Sequence, residues 1–171
     1  RLRGLGGSNA RLGKGEWTVV EADEYDRSFL QLLPTVAVIN NIEAEHMDVY
    51  SDLDDLKSAF LQFANKAPFY GFTAVGLDDS GVKEILSDIM KKVVTFGISP
   101  HCDIRAEDIR FKDRSAYFKV FEYGNELGEM STNIPGLHNV KNALAAVTVA
   151  RQLGADFEDI RSAISEFTGV F

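Results

Sequence analysis

The feature that most constrains this chain is a run of short apolar segments alternating with helical patterns between residues 17 and 96. The segments WTVV (17–20), VAVI (36–39), FTAVGL (72–77) and VVTF (93–96) have the length and composition of buried strands. After the second, Ser51 predicts an N-cap and Asp52, Asp54 and Asp55 suit a first turn. Leu53, Leu56, Phe60 and Phe63 then recur at helical spacing, predicting a helix to about Lys66. After the third, Val82, Ile85, Leu86 and Ile89 form the apolar stripe of another helix. Strands separated by helices cannot pair as hairpins, so the expected fold is α/β: a three-layer arrangement with a mostly parallel sheet flanked by helices.

The period changes between residues 103 and 132. Phe118 and Val120 alternate with Tyr117, Lys119 and Phe121, and Tyr123-Gly124-Asn125-Glu126 supplies a turn, which predicts a small antiparallel β appendage. Helical spacing returns near Asn139, with Val140, Leu144 and Val147 on one face and Gly154 as the stop. Asp156 then caps a last amphipathic helix carrying Phe157, Ile160, Ile164 and Phe167. A length of 171 residues with 45% hydrophobic composition suits one domain with its own core.

In an open parallel sheet, ligands collect beyond the carboxyl ends of the strands. Two of the expected strands run there into polar residues: WTVV into Glu21-Ala22-Asp23-Glu24-Tyr25-Asp26, and VAVI into NNIEAEHMDVY. Glu21 and His46 are the candidate metal ligands and catalytic residues. Their chemistry alone points to Zn2+ or Mn2+ before Mg2+, because Mg2+ prefers oxygen. The competing account is surface acids beside a hydrogen-bonded histidine. Asp23 and Asp48 are candidates to orient His46, and Asn41 is placed either to meet substrate or to turn the chain at the strand end. His138, Asn139 and Asn142 form H-N-x-x-N at a helix start, which reads either as an N-cap with one solvated asparagine or as a carboxamide pair for a nucleobase edge.

A formal charge of −8 excludes a phosphate-backbone-binding surface, so no nucleic acid partner is expected. Cys102 is the single cysteine, which rules out an intrachain disulfide and fits a reducing, cytoplasmic setting. The longest apolar run, residues 143–150, is too short to span a bilayer and no charged-then-apolar leader opens the sequence, so no membrane insertion is expected.

Taken together and in order, EADEYDRSFL, NNIEAEHMDVY and PGLHNVKNALAA resemble the motifs of the ATP-binding central domain of the Mur ligase family. The resemblance runs along essentially the whole chain. It implies an ATP-dependent, amide-bond-forming ligase of peptidoglycan synthesis that joins L-alanine to UDP-N-acetylmuramate through an acyl phosphate. It implies ATP and Mg2+ as cofactors, with Glu21 and His46 on the ion and His138, Asn139 and Asn142 at adenine. Alternatives are a tripeptide-recycling ligase acting on the same nucleotide, a folylpolyglutamate-type ligase of the same superfamily, and a non-catalytic adenine-nucleotide-binding domain. Tyr25 stands where serine is common in the L-alanine-joining ligase, and tyrosine there is also seen in the tripeptide-recycling ligase. Neither Lys57 nor Lys66 lies in register for the carbamylated lysine of some relatives.

The resemblance also implies a glycine-rich phosphate loop upstream of the first motif. The nearest match, Gly7 to Gly15, has Gly15 where a Mg2+-binding Ser or Thr belongs and leads into an expected strand instead of a helix. The chain is therefore expected to be the central domain without its phosphate loop and without the following domain, and to be inactive alone. An uncovered sheet edge would make self-association of the segment, through exchange of residues 1–15, an expected property.

Overall fold

The structure is a computed structural model, and it describes residues 10, 12–44 and 48–169. Six strands form one sheet in the order β1-β2-β3-β4-β5-β6: β1 is Val36–Ile39, β2 Phe72–Gly76, β3 Val93–Gly97, β4 Ile104–Lys112, β5 Ser115–Glu122 and β6 Asn125–Thr132. The pairs β1·β2, β2·β3 and β3·β4 are parallel, and β4·β5 and β5·β6 are antiparallel. The expected antiparallel strands are thus present, and they extend the same sheet instead of forming one of their own. Among the described residues four helices flank it: α1 Leu53–Ala64, α2 Ser80–Ile85, α3 Leu137–Gln152 and α4 Phe157–Glu166.

Alternation along the strands divides the core into two layers. In β2, which is buried throughout, Phe72 and Ala74 join Val94, Phe96, Phe118, Val140, Leu144 and Val147 on the α3/α4 side. Val75 faces the other way with Ile39, Leu56, Phe63 and Val82, under α1 and α2. Thr73, on that same side, is fully buried and donates its hydroxyl to the Ala64 carbonyl at 2.9 Å, so its burial leaves no polar group unpaired. The hairpin turn at Tyr123 and Gly124 places both residues at positive φ, 48° and 86°, as a tight two-residue connection between twisted strands requires.

Several local details depart from the sequence expectations. The N-cap of α1 is Asp52, whose extended backbone lets its carboxylate accept from the Asp55 amide at 2.8 Å; Ser51 instead donates to the Asp55 carboxylate. α2 stops at Ile85 and continues as a 3₁₀ turn over Leu86–Asp88, so Ile89 packs from beyond the helix. Residues 17–20 form no strand: Val19 is 96% exposed, and among the described residues nothing pairs with the outer edge of β1. A strand is stable only when a neighbour takes up its N–H and C=O groups, and apolar composition cannot replace that partner.

What anchors this first stretch is a polar latch. Tyr25–Gln31 is a kinked 3₁₀ segment in which Asp26 and Arg27 both take left-handed backbone, at φ 53° and 62°. The turn carries Arg27 onto Asp55, at the start of α1, with its guanidinium 4.7 Å above the Tyr50 ring. The buried Tyr50 hydroxyl donates to the Glu24 carbonyl at 2.6 Å. Bonding to Arg27, and then to the Ser51 amide, holds the Asp55 carboxyl below its usual range. Stability from this charge is complete above the ordinary aspartate range, about pH 4, and is lost as the pH falls through the lowered native value. Urea unfolding of the wild type and Asp55→Asn is expected to differ at neutral pH and to converge in strong acid. An equal difference at both would assign the effect to shape instead of charge.

Candidate functional site

The carboxyl ends of β1, β2 and β3 meet the first turn of α3 around a cavity of about 280 Å³. Beyond β1, Asn40 and Asn41 leave the sheet, and the Asn41 carboxamide donates to Glu43 at 2.7 Å. Beyond β2 come Asp78 and Asp79, while Phe96 near the end of β3 forms part of the wall. α3 begins at Leu137, two residues earlier than its periodicity suggested, because Gly136 turns the chain at φ 108° and its carbonyl accepts from the Asn139 and Val140 amides. His138, Lys141 and Asn142 then face the cavity.

The structure therefore brings Asn41, His138 and Asn142 together, although Asn40 and Asn142, 102 residues apart in sequence, approach to only 3.5 Å. Asn139 does not line the cavity. It donates to the Pro135 carbonyl at 2.7 Å and lies 3.0 Å from the His138 ring, so its carboxamide ties down the loop that enters the helix. Residues three apart lie on one helical face, so it is the bond of Asn139 back to the Pro135 carbonyl, and not its place on the helix, that keeps it from the cavity wall while Asn142 lines it.

Glu21 is exposed in the irregular stretch that precedes the 3₁₀ segment, and the Asp23 carboxylate accepts from the Tyr25 amide at 2.9 Å. Asp48 is exposed in a turn. His46 lies outside the described residues, with Glu45 and Met47. Among the described residues no three His, Cys, Asp or Glu side chains are grouped to hold a metal ion. Both Asp78 oxygens accept from backbone amides, with Lys141 beside one of them, and one Asp79 oxygen accepts from two amides.

Five polar wall residues escaped the sequence reasoning: Asn40, Glu43, Asp78, Asp79 and Lys141. The signal was available for the aspartates, which follow an apolar strand as Asn40 and Asn41 follow β1. Lys141 sits inside the H-N-x-x-N motif, but only packing shows that its ammonium lies 3.2 Å from Asp78. Nearby Cys102 is buried, and burial, with the Asp78 charge adding to it, pushes its thiol up to about 11, so it is no nucleophile at neutral pH. A larger depression of about 660 Å³ over β5, β6 and α4 contains none of the motif residues, and its charged residues Glu129, Glu158 and Arg161 form ion pairs at the surface.

The cavity thus offers carboxamides, an imidazole and an ammonium, donors and acceptors together, beside the apolar ring of Phe96. That combination suits a flat heteroaromatic ligand with polar edges. Among the described residues no helix is long and apolar enough to cross a membrane.

The chain is 50% identical over 161 residues to the UDP-N-acetylmuramate–L-alanine ligase of Persephonella marina, covering 94% of this chain and 34% of the relative. The chain therefore spans about a third of the length of the curated relatives it matches. Among solved structures, it is similar to the UDP-N-acetylmuramate:L-alanyl-gamma-D-glutamyl-meso-diaminopimelate ligase from Neisseria meningitides. The TM-score is 0.77 at 28% identity, over 88% of this chain and 48% of that one. It is also similar to the UDP-N-acetylmuramate-alanine ligase of Thermotoga maritima, with a TM-score of 0.71 at 25% identity, over 84% of this chain and 31% of that one. The family model described as the Mur ligase middle domain matches residues 9–150, a span that contains every strand of the sheet and both walls of the cavity, and the chain belongs to that family.

Proposed function

We propose that this domain is the ATP-binding part of a ligase that joins L-alanine to UDP-N-acetylmuramate. The observation that carries the reading is the convergence of the β1 exit, with Asn41, and the α3 start, with His138 and Asn142, on one cavity at the strand ends. Identity of 48–50% to curated relatives named UDP-N-acetylmuramate–L-alanine ligase favours L-alanine as the second substrate. The sugar-nucleotide and amino-acid pockets belong, in this reading, to the parts of the longer relatives that the chain does not span.

The resemblance to the Mur ligases implies the reaction. A muramyl carboxylate oxygen attacks the γ-phosphorus of ATP, breaking its bond to ADP and giving an acyl phosphate. The amine of L-alanine then attacks the acyl carbon, phosphate leaves, and the nitrogen loses a proton. His138 and Asn142 would orient adenine, and with it the triphosphate, so that positioning contributes much of the rate. In the same reading Glu21 and His46 would hold a magnesium ion, whose charge would offset that built up during phosphoryl transfer. Asn41 would meet substrate at the strand end.

The test is direct binding. ATP titrated into the purified chain is expected to shift the amide NMR signals of Asn41, His138 and Asn142. Asn142→Ala is expected to weaken binding by about tenfold or more, given about 1–3 kcal/mol for a two-point carboxamide–base contact. Unchanged affinity in that variant would overturn the placement of adenine. A panel offering L-alanine and a tripeptide to the longer protein would overturn the substrate assignment if the tripeptide were preferred.

A further inference from the structure

Two consecutive aspartates at a cavity wall invite assignment as cation ligands, and their contacts argue for another role. Asp78 has only 12% of its side chain exposed, and both of its oxygens are engaged. One accepts from the Ile98 amide at 2.9 Å, the other from the Ser99 amide at 3.0 Å, and Lys141 of α3 approaches to 3.2 Å. The chain leaving β3 wraps the carboxylate so closely that a Cβ on Gly97, at φ 155°, would lie 2.6 Å from an Asp78 oxygen. Asp79 turns the other way. One of its oxygens accepts from the Val82 amide at 2.9 Å, capping α2, and from the Ile42 amide at 3.2 Å, in the chain leaving β1. The turn through Leu77 and Asp78, closed by the Asp79 amide on the Gly76 carbonyl at 3.3 Å, lets one dipeptide brace both flanks of a strand end.

The consequence is a set of cross-links under the cavity. Through Asp78, the end of β2 is bonded to the exit of β3 and to the first turns of α3, where Lys141 lies between His138 and Asn142. Through Asp79, the same strand end is bonded to the exit of β1, next to Asn41. We infer that Asp78 and Asp79 are positioning residues of the nucleotide cavity, with Asp78 acting through Lys141 to set α3 and Asp79 acting through the Ile42 amide to set the chain beyond β1. This inference rests on the nucleotide reading above.

The experiment titrates the purified chain, by amide NMR, with ATP in the absence of metal and separately with MgCl2 alone. Asp78→Asn removes the anion, Lys141→Met removes the cation while keeping the stem, and Lys141→Arg keeps the pair. Asp78→Asn and Lys141→Met are each expected to weaken ATP binding by about tenfold, and the double variant by little more, since residues acting as a unit are non-additive. Lys141→Arg is expected to restore near-wild-type affinity, and Lys141→Met to keep a near-wild-type Tm, which a general loss of folding would not.

Unchanged ATP affinity in Lys141→Met would overturn the positioning role, even if Asp78→Asn failed to fold. So would MgCl2 alone shifting the Ile42, Ile98 and Ser99 amides of the wild type, because the aspartates would then be ligands. Absence of ATP binding by the wild type would instead sink the nucleotide reading, so the two failures are distinguishable.

Discussion

Phe118→Ala is expected to destabilise the domain by about 3–5 kcal/mol, the range for truncating a buried phenylalanine. The ring is fully buried in β5, in the same cluster as Phe96, Met130, Val140, Leu144 and Val147, so it joins the antiparallel strands to α3. Two costs add: apolar surface is no longer removed from water, and a void opens that a sheet held by ladder hydrogen bonds collapses only partly to fill. Against a total stability of about 5–15 kcal/mol for a domain of this kind, the loss is large enough to read in a single urea titration. A shift below about 1 kcal/mol would show that this layer is not the structural core.

The second large effect is expected from the smallest substitution. A Cβ on Gly76 would sit 2.2 Å from the carbonyl oxygen of Asn40, backbone against backbone, with no rotamer to relieve the contact. Gly76 ends β2 beside the exit of β1, so Gly76→Ala must drive the two strands apart where the cavity begins. Overpacking typically costs about 1–3 kcal/mol, and this case is expected at or beyond the upper end because nothing flexible can yield. The damage should also be local. Amide signals of Asn40, Asn41 and Ile42 are expected to move, and ATP binding to fall with them. An unaltered Tm with wild-type ATP affinity would mean that the strands close the gap in another way.

These two positions show different kinds of information in the chain. That residue 118 faces a core follows from alternation with Tyr117 and Lys119. The intolerance at residue 76 is invisible in sequence, because a glycine ending a strand is compatible with many neighbours. The same division runs through the site. The strand VAVI followed by Asn40-Asn41, and the H-N-x-x-N helix start, were legible because each is a local pattern. Their meeting across one cavity depends on the order of strands in the sheet, which local patterns do not specify.

Local periodicity and cap chemistry were enough to identify β1 to β3, the antiparallel meander, α1, α3 and α4, since each element repeats its apolar face at its own period and begins or ends on a recognisable residue. Tertiary structure alone decided the rest. Residues 17–20 have the composition of a strand, yet none of the described residues supplies the ladder that would make them one. Asn139 and Asn142 are equivalent in the motif and differ in the fold, because the Asn139 carboxamide folds back onto the Pro135 carbonyl while Asn142 lines the cavity. Asp78 and Asp79 read as free acids until the amides of Ile42, Val82, Ile98 and Ser99 and the ammonium of Lys141 are seen to occupy them. Propensity and periodicity are properties of neighbours in the chain, whereas hydrogen-bond partnership and convergence are properties of neighbours in space.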